Sequence, residues 1–185
     1  MKIFFSILLL IVVSCSHIDV KDMGQFKNND VDLLISNKTL ISIKSILENE
    51  TLYLDQIAET SFKEELKLLL AGIKIISYEK NACSTGQVAC SDPEHPGVVF
   101  VNENFFLMIP LEQFTGLLHE AAHLQSKNFT HVQCLKKPEW GYECDETINS
   151  PYGIEYKYLL HKYMHSKDDL ITQLLLKINY RINKI

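Results

Sequence analysis

The sequence has no dense run of lysine and arginine, and it has no apolar run long enough to cross a membrane as a helix. Its 18 Lys and Arg residues stand against 23 Asp and Glu residues, a net charge of −5, so we expect no nucleic-acid partner. The composition, 46% hydrophobic and 22% charged, is neither that of a disordered chain nor that of a fibrous one. With 185 residues, one globular domain is the natural expectation.

The most apolar segment stands at the N-terminus. Ile3–Val13 is apolar except for Ser6 and follows Lys2. Its eleven residues are too few for a membrane-spanning helix, which needs about 20. A short apolar segment behind a positive charge is typical of a secretory signal peptide. The segment ends in the sequence Val12-Val13-Ser14-Cys15.

This ending resembles the lipobox of bacterial lipoproteins, in which cleavage occurs before a cysteine that is then acylated. The resemblance implies a signal peptide over residues 1–14, a lipidated Cys15, a polar tether over residues 15–30 and an anchor in the bacterial cell envelope. Ser16 rather than Asp follows the cysteine, which by resemblance to other lipoproteins favours the outer membrane in a bacterium with two membranes. A plain secretory signal with an incidental cysteine is the alternative.

The five cysteines are an odd number, which calls for an explanation in an exported protein. Lipidation of Cys15 accounts for one, and the other four form two local couples. We expect the disulfides Cys83–Cys90 and Cys134–Cys144, because export favours oxidation and both couples lie in segments that resemble loops. Pairing across the couples and a four-cysteine zinc site are the alternatives, and the spacing of neither couple suits the zinc site.

The mature chain is predicted to have an α+β fold, a mostly helical single domain with a small sheet that precedes one prominent helix. Apolar residues recur with helical spacing from Val31 to Gly72, and Ser61 with Glu64 forms a candidate capping box. β-rich segments predict strands, and segments with Gly, Pro and cysteine predict loops. The expected elements are strands at Lys74–Tyr78 and Val98–Asn102, a candidate further strand at Phe105–Ile109, loops at 80–97 and 127–150, and helices at Pro110–Ser126, Gly153–His165 and Lys167–Asn183.

The motif that carries chemistry is His119-Glu120-Ala121-Ala122-His123, an HExxH sequence within the helix that begins at Pro110. Residues four apart project from one helix face, so His119 and His123 can both direct an imidazole nitrogen at one Zn²⁺ ion. Glu120 can reach a water molecule on the metal without being a ligand, and can take its proton during attack on a carbonyl. An amphipathic helix that carries these residues on its polar face without a metal is the alternative.

This stretch resembles the zincin superfamily of metallopeptidases, and the resemblance extends from Val98 to Gln125. It implies a zinc cofactor, a zincin-like domain over residues 31–185, and a peptide or protein substrate. Zincins commonly bind the substrate backbone along a strand that precedes the HExxH helix. The resemblance gives that part to Val98–Asn102.

The sequence leaves the third zinc ligand open. The metzincin pattern HExxHxxGxxH fails, because Ser126 and Phe129 stand at its glycine and its third histidine. His131, eight residues after His123, lies in a loop that could return to the metal, and it is the favoured ligand. Gluzincins use an acid from farther along the chain, and the candidates here are Glu143, Asp145 and Glu146.

A partial likeness to aspzincins, which carry GTxDxxYG, involves Thr147, Tyr152 and Gly153. Asn149 stands where the ligand aspartate should be, and asparagine is a poor zinc ligand. A Tyr152 hydroxyl near the metal could stabilise an oxyanion. An aromatic core residue at a helix start is the alternative for Tyr152.

Together these features predict a lipid-anchored bacterial zinc-dependent hydrolase, a metallopeptidase with Glu120 as the general base. The alternative is a non-enzymatic zinc-binding surface lipoprotein. A structural or adhesion lipoprotein without metal is a third class. Glu120 discriminates between the first two, because hydrolysis requires a base and zinc storage does not.

The anchor can be tested at Cys15. In the native host, Cys15 should be the mature N-terminus and should carry acyl chains. At least two chains are expected, because a single chain binds a membrane only weakly. Cys15→Ala should release the protein or leave it unprocessed, as cell fractionation would show. An intact mass that corresponds to an unmodified Cys15 would contradict the prediction.

Overall fold

The computed structural model describes residues 24–28, 31–35, 41–79, 81, 83–125, 130–134 and 143–182. The expected signal peptide over residues 1–14 and the lipidated Cys15 lie outside the described residues. Among the described helices, none combines the length and the apolar character that a membrane span requires.

In this part of the chain, helices predominate over a small sheet, so the predicted mostly helical α+β domain is confirmed. A short 3-10 helix covers Glu103–Leu107. The helices are α1 (Ile41–Gln56), α2 (Thr60–Gly72), α3 (Pro110–Gln125), α4 (Pro151–Ser166) and α5 (Asp169–Asn179), and the strands are β1 (Gly24–Asn28), β2 (Val31–Ile35), β3 (Ile75–Tyr78), β4 (Ala89–Ser91), β5 (Val98–Val101), β6 (Val132–Gln133) and β7 (Glu143–Cys144).

The five-stranded sheet has the order β1-β2-β3-β5-β4. The strands β2, β3 and β5 run parallel to one another, while β1 and β4 are antiparallel strands at the two edges. The expectation that Val98–Asn102 offers its backbone to a substrate is therefore wrong. Both sides of β5 are already paired, one with β3 and one with β4, and in the described part of the sheet the edge on this side belongs to β4.

The helix α3 lies at the centre of the domain. It packs against α1, α2, α4, β4 and β5, and so most of its circumference is covered. Five of its apolar side chains are fully buried, namely Phe114, Leu117, Leu118, Ala121 and Ala122. Proline at its first position and Glu112 in its first turn suit a helix N-terminus, as predicted. Burial of this apolar helix fixes the position of the HExxH motif that it carries.

The helices α4 and α5 form an antiparallel hairpin beside α3. Leu159 of α4 packs on Ile171, Leu174 and Ile178 of α5 in a second apolar cluster. Asp168 caps α5, since its carboxylate accepts hydrogen bonds from the backbone N–H groups of the first turn. The hairpin brings the first half of α4 against the HExxH helix.

The N-terminal part of the domain differs from the prediction. β1 lies in the segment expected to be a tether, and β2 begins the segment expected to be helical. A five-residue run such as Val31–Ile35 does not distinguish a strand from a buried helical turn by periodicity alone. Strand β1 carries no alternating pattern, and its identity depends on its backbone pairing with β2.

Three local expectations are also wrong. The capping box is absent, because α2 begins at Thr60 and the Ser61 hydroxyl bonds to Glu59 rather than to a backbone N–H. Phe105–Ile109 is not a strand, since Asn102 caps the 3-10 helix and Phe105 turns into the core. The expected loops at 80–97 and 127–150 contain the short strands β4, β6 and β7.

Gly153 offers a test of the packing that holds α4. Gly153→Ala should lower the free energy of unfolding by about 3 kcal/mol, because a Cβ at this position would overlap the backbone of Ile148. The matched control is Gly116→Ala in α3, whose Cβ would lie 3.8 Å from Phe105. Helix propensity makes the control neutral or stabilising by up to about 1 kcal/mol. Urea unfolding measures both, and equal losses in the two variants would contradict the packing described.

Candidate metal centre

The helix α3 directs two imidazoles to the same point. His119 and His123 are one turn apart on one face, and their Nε2 atoms lie 3.2 Å from each other. His119 is buried, with 7% of its surface exposed. The helical spacing in the HExxH motif therefore brings the two nitrogens together, as predicted.

His131 joins the pair from the segment before β6. Its Nε2 atom lies 3.1 Å from that of His119 and 3.1 Å from that of His123. Nitrogens bound to one tetrahedral zinc ion at about 2.0–2.1 Å would be about 3.3 Å apart. The triangle formed by the three Nε2 atoms therefore has nearly the right size. The three histidines could hold a metal ion. Each offers one ring nitrogen, and imidazole nitrogen is a ligand that zinc and other late divalent metals bind well.

Two of the three imidazoles are held from behind by a carboxylate. His119 Nδ1 lies 2.7 Å from Glu155 Oε1, and His131 Nδ1 lies 2.8 Å from Asp145 Oδ1. When Nδ1–H donates to a carboxylate, the lone pair of the same ring is on Nε2. Both carboxylates therefore favour the tautomer whose free nitrogen faces the centre of the triangle.

A hairpin stapled by a disulfide positions His131. β6 and β7 pair with Val132 opposite Cys144, and the disulfide Cys134–Cys144 links the two strands. The residue after Cys144 is Asp145, whose second carboxylate oxygen accepts a hydrogen bond from the Tyr152 backbone N–H at 2.6 Å. The hairpin thus holds His131 and its carboxylate partner side by side. Both predicted disulfides, this one and Cys83–Cys90, are confirmed.

Burial controls the ionisation of the groups around the triad, because it disfavours the charged form. It lowers the pKa of His119 to about 4, so this imidazole is neutral at neutral pH. Burial raises the pKa of Glu120 and raises that of Glu155 to about 8. Burial also acts to lower the pKa of His131, but the hydrogen bond to Asp145 and the charge of Asp145 outweigh it and raise that pKa.

Three buried carboxyl groups surround the three Nε2 atoms. Glu120, Asp145 and Glu155 expose 8%, 2% and 6% of their surfaces. Buried negative charge costs free energy unless a positive charge compensates it. A divalent cation held by the three imidazoles would supply that compensation, and it would favour the ionised carboxylates that the Nδ1–H groups require. The donor set and its surroundings therefore fit a bound cation.

Glu120 stands next to His119 in the sequence but takes no part in the triangle. Its Oε2 atom accepts a hydrogen bond from the Ser91 hydroxyl of β4 at 3.0 Å. Glu120 and all three histidines line one open cleft of ≈ 1590 Å³. Ligand pockets for small molecules are about 300–1,000 Å³, so this cleft has room for a segment of polypeptide.

Tyr152 lies directly against the triad. Its ring centroid is 4.4 Å from that of His119 and 4.9 Å from that of His131. Nη1 of Arg181 donates a hydrogen bond of 3.1 Å to the Tyr152 hydroxyl oxygen and one of 3.0 Å to the Glu143 carbonyl. Tyr152 is therefore an aromatic residue packed at a helix start beside the triad, and its role in stabilising an oxyanion stays a prediction.

The acids proposed as alternative third ligands take other positions. Asp145 is close, but it bonds to Nδ1 of His131 and not to the centre of the triangle. Glu143 and Glu146 are exposed. Among the described residues, the group that could hold a metal consists of the three histidines.

Sequence reasoning missed Ser91, Glu155 and Arg181. Each comes from an element far from the motif in the chain, on β4, on α4 and after α5. Only Glu155 carried a usable signal, because it is an acid among the buried residues Ile154, Tyr158 and Leu159 of α4, and a buried acid requires a partner.

Comparisons of the chain with protein-family models, with curated proteins and with solved structures found no match. What the site can do is therefore inferred from its own residues.

Substitution of Asp145 tests how His131 is held. Asp145→Asn should weaken Zn²⁺ binding by about 10–100-fold, because an amide NH₂ facing Nδ1 would move the histidine proton to Nε2. His131→Ala should weaken binding further, since two ligands remain. The matched control is Glu143→Gln, an exposed acid two residues away, which should bind Zn²⁺ like the wild type. Competition with a chromophoric chelator measures all three.

The opposite order would contradict the histidine triad. If Glu143→Gln weakened Zn²⁺ binding while His131→Ala did not, the third ligand would be an acid.

Proposed function

We propose that the protein is a zinc-dependent peptidase anchored by lipid in the bacterial cell envelope. His119, His123 and His131 would bind zinc, and Glu120 would be the general base. The observation that carries the proposal is the convergence of three Nε2 atoms within 3.1–3.2 Å beside a buried carboxylate that is not one of the three donors.

The number of donors supports a catalytic zinc site over a structural one. Structural zinc sites are closed by four protein ligands, while catalytic sites have three and keep one position open. Among the residues that the structure describes, three histidines meet here, and they line an open cleft. When bound, zinc supplies a Lewis acid that polarises a carbonyl and lowers the pKa of water to about 7.

Glu120 has the environment of a general base. Glu120 is buried, with 8% of its surface exposed, and so its carboxylate is largely shielded from bulk water. The Ser91 hydroxyl engages one carboxylate oxygen, and the carboxyl group lines the same cleft as the triad. Glu120 can therefore accept a proton inside the cleft and pass it to a leaving amine.

The edge strand β4 supports a peptide as the substrate. Ala89, Cys90 and Ser91 line the cleft, and β4 is paired on one side only within the described sheet. An edge strand offers backbone N–H and C=O groups to an extended peptide. In this proposal β4 takes the part that the sequence assigned to Val98–Asn102.

The envelope location rests on the lipobox resemblance around Cys15. The two disulfides agree with an oxidising compartment outside the cytoplasm. With an anchor at residue 15, the peptidase would act on peptides or proteins at the membrane surface.

The general base provides the decisive experiment. Glu120→Gln should keep one zinc per chain, because Glu120 is not a ligand, and should lose about 10²–10⁴-fold in peptide hydrolysis. His123→Ala should lose both zinc and activity. Elemental analysis and mass spectrometry of cleaved peptide libraries measure the two properties. Glu64→Gln, an exposed glutamate on α2, is the control and should behave as the wild type.

Two results would argue against the proposal. If zinc-loaded wild type and Glu120→Gln were equally inert on broad peptide libraries, a non-enzymatic zinc-binding surface lipoprotein would be the better description. If the wild type held no zinc after exposure to it, both functions would fail.

A further inference from the structure

We propose that Ser91 is a positioning residue for Glu120, which sets the orientation of the carboxylate from the edge strand of the sheet. This inference rests on the proposed function, and it adds a residue for which the sequence offers no motif. Its basis is the hydrogen bond from the Ser91 hydroxyl to Glu120 Oε2, 3.0 Å long, between residues 29 positions apart.

The alternation of β4 directs Ser91 towards α3. In a strand, successive side chains point to opposite faces, so Ala89 and Ser91 share one face while Cys90 is on the other. Ala89 is buried, with 7% of its surface exposed, which identifies the shared face as the one that packs on the helix. Ser91 therefore reaches Glu120 because of its register in β4.

The strand that carries Ser91 is held on two sides. Along one side it pairs with β5, with Ser91 opposite Val99 and Cys90 opposite Phe100. From the other face, Cys90 is joined to Cys83 by a disulfide. Cys90 is next to Ser91 and its side chain points to the opposite face of the strand, so the disulfide restrains β4 from the face away from the Ser91 hydroxyl.

A buried carboxylate needs such a donor. Glu120 exposes 8% of its surface, and little water can reach it to replace a lost hydrogen bond. Rotation about the last side-chain bond of glutamate is soft, so burial alone does not select one orientation. The Ser91 hydroxyl engages Oε2 and thereby directs Oε1, the other oxygen of the same carboxylate, to a defined place.

The position of Ser91 also links base and substrate. Ser91 belongs to the strand whose open edge borders the cleft. A peptide that pairs with β4 would therefore be placed by the same strand that carries Ser91, the residue that orients the base. A fixed relation between the substrate and the proton acceptor is what general-base catalysis needs, because small errors in geometry cost large factors in rate.

Steady-state kinetics of the zinc-loaded protein test this role. Ser91→Ala should lower kcat by about tenfold, the value of one hydrogen bond to a charged group, with KM and zinc content within about twofold of the wild type. Ser91→Thr keeps the hydroxyl and suits a strand, and it should restore most of kcat. The matched control is Ser77→Ala on β3, which is separated from β4 by β5, and its kcat should match that of the wild type.

Thermal melts provide a readout that does not depend on turnover. Ser91→Ala should lower the Tm of the zinc-loaded protein, because it leaves a buried carboxylate without its donor. The same substitution should have a clearly smaller effect in a Glu120→Ala background, since residues in contact are not additive. Equal Tm shifts in the two backgrounds would overturn the proposed contact.

The outcomes separate this inference from the proposed function. An active wild type whose kcat is unchanged in Ser91→Ala would overturn the role of Ser91 and leave the peptidase proposal standing. A rise in KM, or a fall in zinc content, that accounts for the whole loss of activity would also overturn it. An inert wild type would overturn the proposed function, and a coupling seen in the melts would then be structural only.

Discussion

The rest of the site depends on the approach of three imidazole nitrogens to within 3.2 Å of one another. Three lone pairs that face one point repel unless a cation lies between them, and the carboxylates behind His119 and His131 hold the rings in that arrangement. The charge balance adds to this constraint, because a cation at this point would compensate the negative charge of the buried acids around the triad in their ionised form. The geometry and the electrostatics therefore favour the same occupant.

The scaffold assembles this centre from three sources. The helix α3 supplies two ligands and Glu120, and its rigidity comes from burial on most sides. The stapled hairpin β6–β7 supplies His131 and Asp145. The helix α4 supplies Glu155, which contacts Nδ1 of His119, and the Tyr152 ring, which packs against the His119 ring. Each source is anchored by its own packing or disulfide, so the centre does not rely on one element.

The two disulfides lie beside different parts of the proposed chemistry. Cys134–Cys144 links the strand that follows His131 to the residue that precedes Asp145, so it acts on the candidate metal centre. Cys83–Cys90 stands next to the serine that contacts Glu120, so it acts on the base. Each closes a short loop, and short loops contribute less to global stability than long ones. Local shaping of the cleft is the role that both positions favour.

The sequence by itself determined what depends on neighbours in the chain. The spacing of His119 and His123, the helix that begins at Pro110, the two disulfides and the mostly helical α+β class could all be predicted, because helical periodicity and loop closure are local. His131 could be named as the favoured ligand, but the acids Glu143, Asp145 and Glu146 stayed open. Only the tertiary structure shows that His131, rather than one of these acids, meets the other two histidines, because the β6–β7 hairpin turns Asp145 towards Nδ1 of His131. Long-range packing likewise placed three partners of the site, Ser91, Glu155 and Arg181. It also put β4, rather than β5, at the edge of the described sheet. No local sequence pattern encodes such packing.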